Sequence, residues 1–212
     1  MIAIVDYGVG NLFSLSSSLR ALDLEVLVTA DPEQIRQANR IILPGVGAFG
    51  DAADKLRSTG LDRVVISEAH EGKPLLGICL GMQLLFEKSL EFGEHDGLGL
   101  LRGKVVPMQG RIPKELKIPQ MGWNALIPKR EHPLLRDVNE GDCVYFVHSY
   151  FAADCDDSLV AVTEYGAELT ACVGKGNVFG CQFHPEKSGE TGLRMLKAFC
   201  EIKGTAEGGT VL

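Results

Sequence analysis

Pro74-Leu75-Leu76-Gly77-Ile78-Cys79-Leu80-Gly81-Met82-Gln83-Leu84-Leu85-Phe86 is the stretch that decides how this chain folds. Its first half is a continuous apolar run, the pattern of a strand buried on both faces. Its second half places Met82, Leu85 and Phe86 at helical spacing. Glycines at 77 and 81 frame Cys79 where one pattern gives way to the other. Strand, tight turn and helix in that order make a nucleophile elbow, in which small neighbours let the backbone present the central side chain in strained, exposed geometry. Cys79 would also stand at a helix N-terminus, where unpaired N–H groups and the helix dipole favour a thiolate. The alternative is a small buried cysteine in a tight β-to-α turn.

Outward from the elbow, strands and helices alternate. Ile2-Ala3-Ile4-Val5 reads as a strand that ends at Asp6-Tyr7-Gly8-Val9-Gly10-Asn11, and Leu12, Leu15, Leu19 and Leu22 then recur at helical spacing. Leu24 to Val28 is a second strand. Asp31-Pro32, an N-cap with proline at the first helical position, opens a short helix to about Ala38. Ile41-Ile42-Leu43 is a third strand, stopped by Pro44, and Phe49 to His70 is helical with a break at Gly60. The second half differs, with short β runs at Cys143 to Val147, Leu159 to Thr163, Leu169 to Val173 and Val178 to Phe183, and a final helix from about Thr191 to Ile202. The expected fold class is α/β, with a mostly parallel central sheet flanked by helices and an antiparallel ribbon region. One domain is expected over residues 1–203, followed by a frayed tail at 204–212 that has nothing to bury.

The 212 residues suffice for one substantial core, and 45% hydrophobic with 23% charged residues is ordinary globular composition. A net charge of -7 without a Lys/Arg cluster argues against nucleic acid as partner. No run of about 18 apolar residues and no basic, cleavable leader occurs, so a cytoplasmic protein away from membranes is expected. Six cysteines at irregular spacing read as reduced thiols. No Cys-x-x-Cys occurs and the five histidines lack ligand spacing, so neither metal nor cofactor is indicated.

His184-Pro185-Glu186 follows the run Val178 to Phe183, and residues i and i+2 of an extended strand project to one side. A carboxylate there can fix the tautomer of the imidazole, and the imidazole can take a thiol proton and return it to a leaving amine. Alone, the tripeptide would pass for a surface turn; with the Cys79 elbow it makes a triad. Pro44-Gly45-Val46-Gly47-Ala48-Phe49-Gly50 formally contains Gly-x-Gly-x-x-Gly, but after the third strand and not in the first βα unit of a dinucleotide site. Its better use is to aim a backbone N–H at a developing oxyanion, supplementing the N–H of Leu80.

Gly77-Ile78-Cys79-Leu80-Gly81-Met82-Gln83 together with His184-Pro185-Glu186 resembles the class I (triad) glutamine amidotransferases. Asp6 to Asn11, Pro44 to Phe49, Met121-Gly122-Trp123-Asn124, Tyr145 to Tyr150 and Gln182 to Ser188 further resemble the glutaminase subunit of imidazole glycerol phosphate synthase. One departure is Gln120, where that family usually has His. The resemblance implies glutamine hydrolysis by Cys79, His184 and Glu186, an oxyanion site at Gly47 and Leu80, and glutamine contacts from Gln83, His148, Ser149 and Tyr150. It also implies a cyclase partner with a (β/α)8 barrel, receiving ammonia in histidine biosynthesis and met by Asn11 and Trp123. Trp123, the only tryptophan, stands in a polar stretch and is either an interface anchor or an ordinary core aromatic. Two other functions compete: a related glutaminase subunit serving another pathway, such as amidination of a surface sugar, and a non-catalytic binding module, which would have no need of the triad.

Overall fold

A computed structural model describes residues 1–204. Five strands run parallel in the order β2 (Val26–Thr29), β1 (Ile2–Val5), β3 (Arg40–Leu43), β4 (Leu75–Ile78) and β14 (Val178–Cys181). Three antiparallel strands, β13 (Glu168–Lys175), β12 (Leu159–Glu164) and β9 (Ile127–Pro128), extend the sheet beyond β14. The expected α/β sheet with an antiparallel region is therefore present.

Alternation along the parallel strands feeds two cores. Ala3, Val5, Ile41, Leu43 and Leu75 pack on one side; Ile2, Ile4, Ile42, Leu76 and Ile78 pack on the other. The first core is closed by Ile35 of α2 (Pro32–Gln37), Phe49 and Leu56 of α3 (Phe49–Ser58), and Val65 of α4 (Leu61–His70). The second is closed by Leu15 and Leu19 of α1 (Leu12–Arg20) and by Met195, Leu196 and Phe199 of α6 (Gly189–Glu201). Apolar positions three and four apart are what give each helix one face to bury.

The expected helix 49–70 is two helices, and Gly60 at φ +72 makes the break. Asp31 caps α2 by accepting from the Glu33 N–H, as its place before Pro32 predicts. The expected tail at 204–212 lies, beyond Gly204, outside the described residues.

Two expectations are corrected. The helix after Cys79 is only α5 (Leu80–Leu84), and Phe86 already belongs to β5 (Phe86–Ser89). A second sheet forms from β5, β6 (His95–Asp96), β7 (Leu101–Pro107) and β11 (Tyr150–Ala153), and Phe86 enters the first core from this sheet and not from a helix. A separate ribbon pairs β8 (Gln120–Ala125) with β10 (Cys143–His148), His148 standing opposite Gln120. The second correction is at His184 and Glu186, which do not lie on a strand: β14 ends at Cys181, and Pro185 begins a 3₁₀ turn over Pro185–Lys187. Proline has no N–H for the ladder and its φ suits the first position of a helical turn.

Glycine at 81 is demanded by close packing. A Cβ there would overlap the Leu43 carbonyl oxygen, which belongs to the sheet and cannot yield. Gly81→Ala should therefore destabilise the protein by about 3 kcal/mol or more in urea unfolding, while Ser17→Ala on the exposed side of α1 should stay within about 0.5 kcal/mol.

Candidate active site

The carboxyl ends of parallel strands share one edge of the sheet, and a crevice at that edge is where α/β sheets bind ligands. Because β3 and β14 flank β4, the chain after each lies beside Cys79: Gly45 to Gly47 on one side, Gln182 to Glu186 on the other. A cleft of about 300 Å³ opens there, lined by Val46, Gly47, Cys79, Leu80, Gln83, Glu91, Pro119, Val147, His148, Ser149, Tyr150 and His184.

Cys79 adopts φ 54, ψ -113, a left-handed conformation that side chains other than glycine seldom take. Such a residue costs on the order of 1–3 kcal/mol and persists only where its surroundings fix it. Its N–H donates to the Cys181 carbonyl at 2.8 Å, and its own carbonyl accepts from the Gln83 N–H at 3.2 Å. A Cβ on Gly77 would lie 2.6 Å from the Gly81 carbonyl oxygen, and one on Gly45 would lie 2.8 Å from the Gly81 nitrogen. Three glycines thus let backbone meet backbone around the strained residue.

His184 Nδ1 stands 2.9 Å from Glu186 Oε1, and both side chains are buried. That contact commits Nδ1 to the carboxylate and leaves Nε2 for Cys79. Burial opposes a charge on the imidazole, but hydrogen bonds to Cys79 and Glu186 and their negative charge outweigh it, raising His184 to about 10. The strand geometry expected for the pair is absent, yet the 3₁₀ turn brings the same two groups together.

Gly47 lines the cleft at φ +94 with open space where a Cβ would stand, a backbone conformation that glycine takes without strain. The Tyr7 hydroxyl, buried beside Cys79, donates to the Pro44 carbonyl at 2.7 Å and pins the start of that loop. Gln83, His148, Ser149 and Tyr150 all line the cleft. However, His148 has Nδ1 2.8 Å from the Tyr150 carbonyl oxygen and Nε2 3.0 Å from Gln120 Oε1, so neither ring nitrogen is free for a ligand. Gln83 has spent its amino group on the Tyr150 carbonyl and on Gln182 Oε1, each at 3.0 Å.

Sequence reasoning missed Glu91 in the cleft wall. Burial raises its carboxyl above the ordinary range, and Oε2 accepts from the Phe49 N–H at 2.6 Å. Lying in the loop after β5, it carried no spacing signal from Cys79. Gln182 was also missed as a site residue, although it stands only two residues before His184. Trp123 is no core aromatic: it is 55% exposed and packs edge-on against Tyr145 at 6.1 Å. Asn11 precedes α1 and makes no side-chain cap bond. Among the described residues there is no cluster of three or more His, Cys, Asp or Glu able to hold a metal, and no helix long and apolar enough to cross a membrane.

The buried histidines set a pH dependence. Held above its free value near 6.5, His184 binds its proton more tightly in the folded state; its contribution is complete below about 6.5 and is lost as pH rises toward about 10. His148 and His132 are pushed down to about 4, chiefly by burial, so the unfolded chain takes their protons first and stability is lost as pH falls from about 6.5 toward 4. Urea midpoints should therefore peak near pH 6.5 and decline on both sides, and Cys79→Ala should flatten the alkaline decline. A midpoint that climbs from pH 6.5 to 9 would contradict this.

The model of the family described as glutamine amidotransferase class-I matches residues 3–202. The imidazole glycerol phosphate synthase subunit HisH of Geobacillus sp. (strain WCH70) is 51% identical over 205 residues, covering 95% of this chain and 97% of that protein. The subunit of the same name from Wolinella succinogenes is 48% identical over 204 residues, covering 95% and 100%. A crystal structure of a glutamine amidotransferase superposes with a TM-score of 0.74 at 20% identity, covering 95% and 98%, and shares the fold.

Proposed function

The chain belongs to the class-I glutamine amidotransferase family, and from that premise we propose that Cys79, His184 and Glu186 are its glutaminase triad. It is a glutamine amidotransferase subunit of the imidazole glycerol phosphate synthase kind, hydrolysing glutamine to feed a cyclase subunit in histidine biosynthesis. The observation that carries the triad is the strained Cys79, in the cleft wall with the His184–Glu186 pair beside it.

In the reaction the Cys79 thiolate, its proton already held on His184 Nε2, bonds through Sγ to the amide carbon of glutamine. Negative charge moves to the amide oxygen, where the N–H of Leu80 and an N–H of the Gly47 loop receive it. The intermediate collapses with cleavage of C–N, and His184 returns the proton so that ammonia leaves and a γ-glutamyl thioester remains. Water then attacks the same carbon and gives its proton to His184, the C–S bond breaks, and glutamate and the thiol are released. Glu186 holds the His184 ring in place throughout.

Glutamine also carries an α-ammonium and an α-carboxylate. Glu91 is the acidic group of the cleft outside the triad, with Oε1 left to meet the ammonium, and Gln83 offers substrate its carbonyl oxygen. Ser149 and Tyr150 line the remaining wall, whereas His148 shapes it by packing. The partner is a (β/α)8-barrel cyclase that docks over Asn11 and Trp123, in the cytoplasm, a compartment that suits six unpaired thiols. The relatives carry the imidazole glycerol phosphate synthase name across nearly their whole length, which favours this pathway over amidination of a surface sugar.

Cys79→Ala, assembled with the cyclase subunit, should lose glutamine-dependent synthesis and keep synthesis from ammonium salt; loss of both in an intact complex would refute the division of labour. The Gly47 peptide supplies a switch. Turnover of glutamine should rise roughly 10²–10³-fold from the isolated chain to the complex with bound acceptor, the worth of one oxyanion donor. Equal rates in the two states would rule the switch out.

A further inference from the structure

Gln182 is fully buried, and its amide joins two groups: Oε1 accepts from Gln83 Nε2 at 3.0 Å, and Nε2 reaches Cys79 Sγ at 3.8 Å, within range for a bond to sulfur. The direction of this chain is imposed from its far end. The Tyr150 backbone carbonyl can only accept, so the Gln83 group 3.0 Å from it must be the amino group. That same amino group faces Gln182, which must answer with its oxygen. Its own amino group is thereby turned to the sulfur.

We infer that Gln182 is a fourth member of the catalytic group, whose N–H, oriented by Gln83 and the Tyr150 carbonyl, binds the Cys79 sulfur and favours its thiolate. The inference rests on the glutaminase reading and goes beyond the triad. A hydrogen bond to an ionised acceptor is roughly twice as strong as one to a neutral acceptor, so the donor favours S⁻ over S–H. In a buried site such a bond is stronger still, and its geometry is set before substrate arrives. Some nucleophilicity is lost when a thiolate is stabilised, but the rate falls by less than the thiolate population gains, because the Brønsted coefficient is about 0.4–0.5.

Other charged or titratable groups also face Cys79: His184 and Glu186 from the 3₁₀ turn, Cys181 from β14, Tyr7 from the loop after β1, and Glu91 across the cleft. A variant at 182 leaves all of them in place. It therefore isolates the amide.

Gln182→Met keeps the volume and removes the donor. Measured in complex with the cyclase subunit, its glutaminase kcat should fall about 10–100-fold with KM within about twofold of the native value. The rate at which iodoacetamide alkylates Cys79, followed by peptide mapping so that exposed Cys143 is counted apart, should fall at least about fivefold at pH 7. A kcat and an alkylation rate both within twofold of native would overturn the inference. Should Gln182→Met fail to fold, Gln83→Met removes the group that orients Gln182; it is read by alkylation alone, because Gln83 also meets substrate. The same fivefold fall supports the inference and an unchanged rate overturns it. If the native complex does not hydrolyse glutamine, the glutaminase reading fails, while the alkylation comparison still decides whether Gln182 acts on the sulfur.

Discussion

A left-handed backbone at Cys79 can exist only where neighbouring chain approaches closely enough to hold it, and the rest of the active-site edge is arranged to allow that approach. Gly77 and Gly81 bring β4 against the start of α5, and Gly45 brings the chain after β3 against Gly81. The Cys79 N–H is taken by the Cys181 carbonyl of β14. Cys79 is thus fixed by both strands that flank it. Those flanking strands also deliver the Gly47 loop, from β3, and His184, from β14, to the same cleft. One constraint therefore sets the geometry of Cys79, the Gly47 loop and His184 together.

The polar groups around that constraint form a connected set. His184 is held by Glu186 on one side and Cys79 on the other; Gln182 and Gln83 run from the sulfur back to the Tyr150 carbonyl. His148 meets the same carbonyl and carries the connection to Gln120, in the β8–β10 ribbon. The Ser188 hydroxyl accepts from the Tyr145 N–H and donates to the His184 carbonyl, tying the 3₁₀ turn to that ribbon as well. Buried polar groups of this kind are costly unless satisfied; here one orients the next, and Glu186 Oε2 is left without a partner. Gln120 hydrogen bonds to both His148 and Asn124.

The ribbon has a second surface. Met121 and Trp123 alternate with Gln120 and Asn124 along β8, and the first two are exposed while Gln120 is wholly buried. A strand of period two thereby presents apolar side chains outward and turns Gln120 inward to His148. Lys187, one residue past Glu186, lies over the Tyr145 ring that Trp123 packs against. A partner seated there would press on the strand whose inner side hydrogen bonds to the cleft wall.

Local signals determined the parts of this protein that depend on local chemistry. Alternating apolar runs and breakers named most strands and helices, because burial on two faces or on one stripe leaves a period in the sequence. The glycines around Cys79 named the elbow because no other residue fits a backbone so close to its neighbours. Local reading failed at Phe86, whose apolar side chain suits a helix as well as a strand, and at His184 and Glu186, where Pro185 replaced the expected strand by a 3₁₀ turn. Tertiary structure alone decided that Glu91 reaches the cleft from a loop beyond β5, that both nitrogens of His148 are occupied, and that Gln182 points its amino group at sulfur. Each of these depends on a partner distant in sequence: Phe49 for Glu91, Gln120 for His148, and the Tyr150 carbonyl, through Gln83, for Gln182. The direction of a hydrogen bond is set by its partner, and a partner brought near by the fold leaves no trace in the residues on either side.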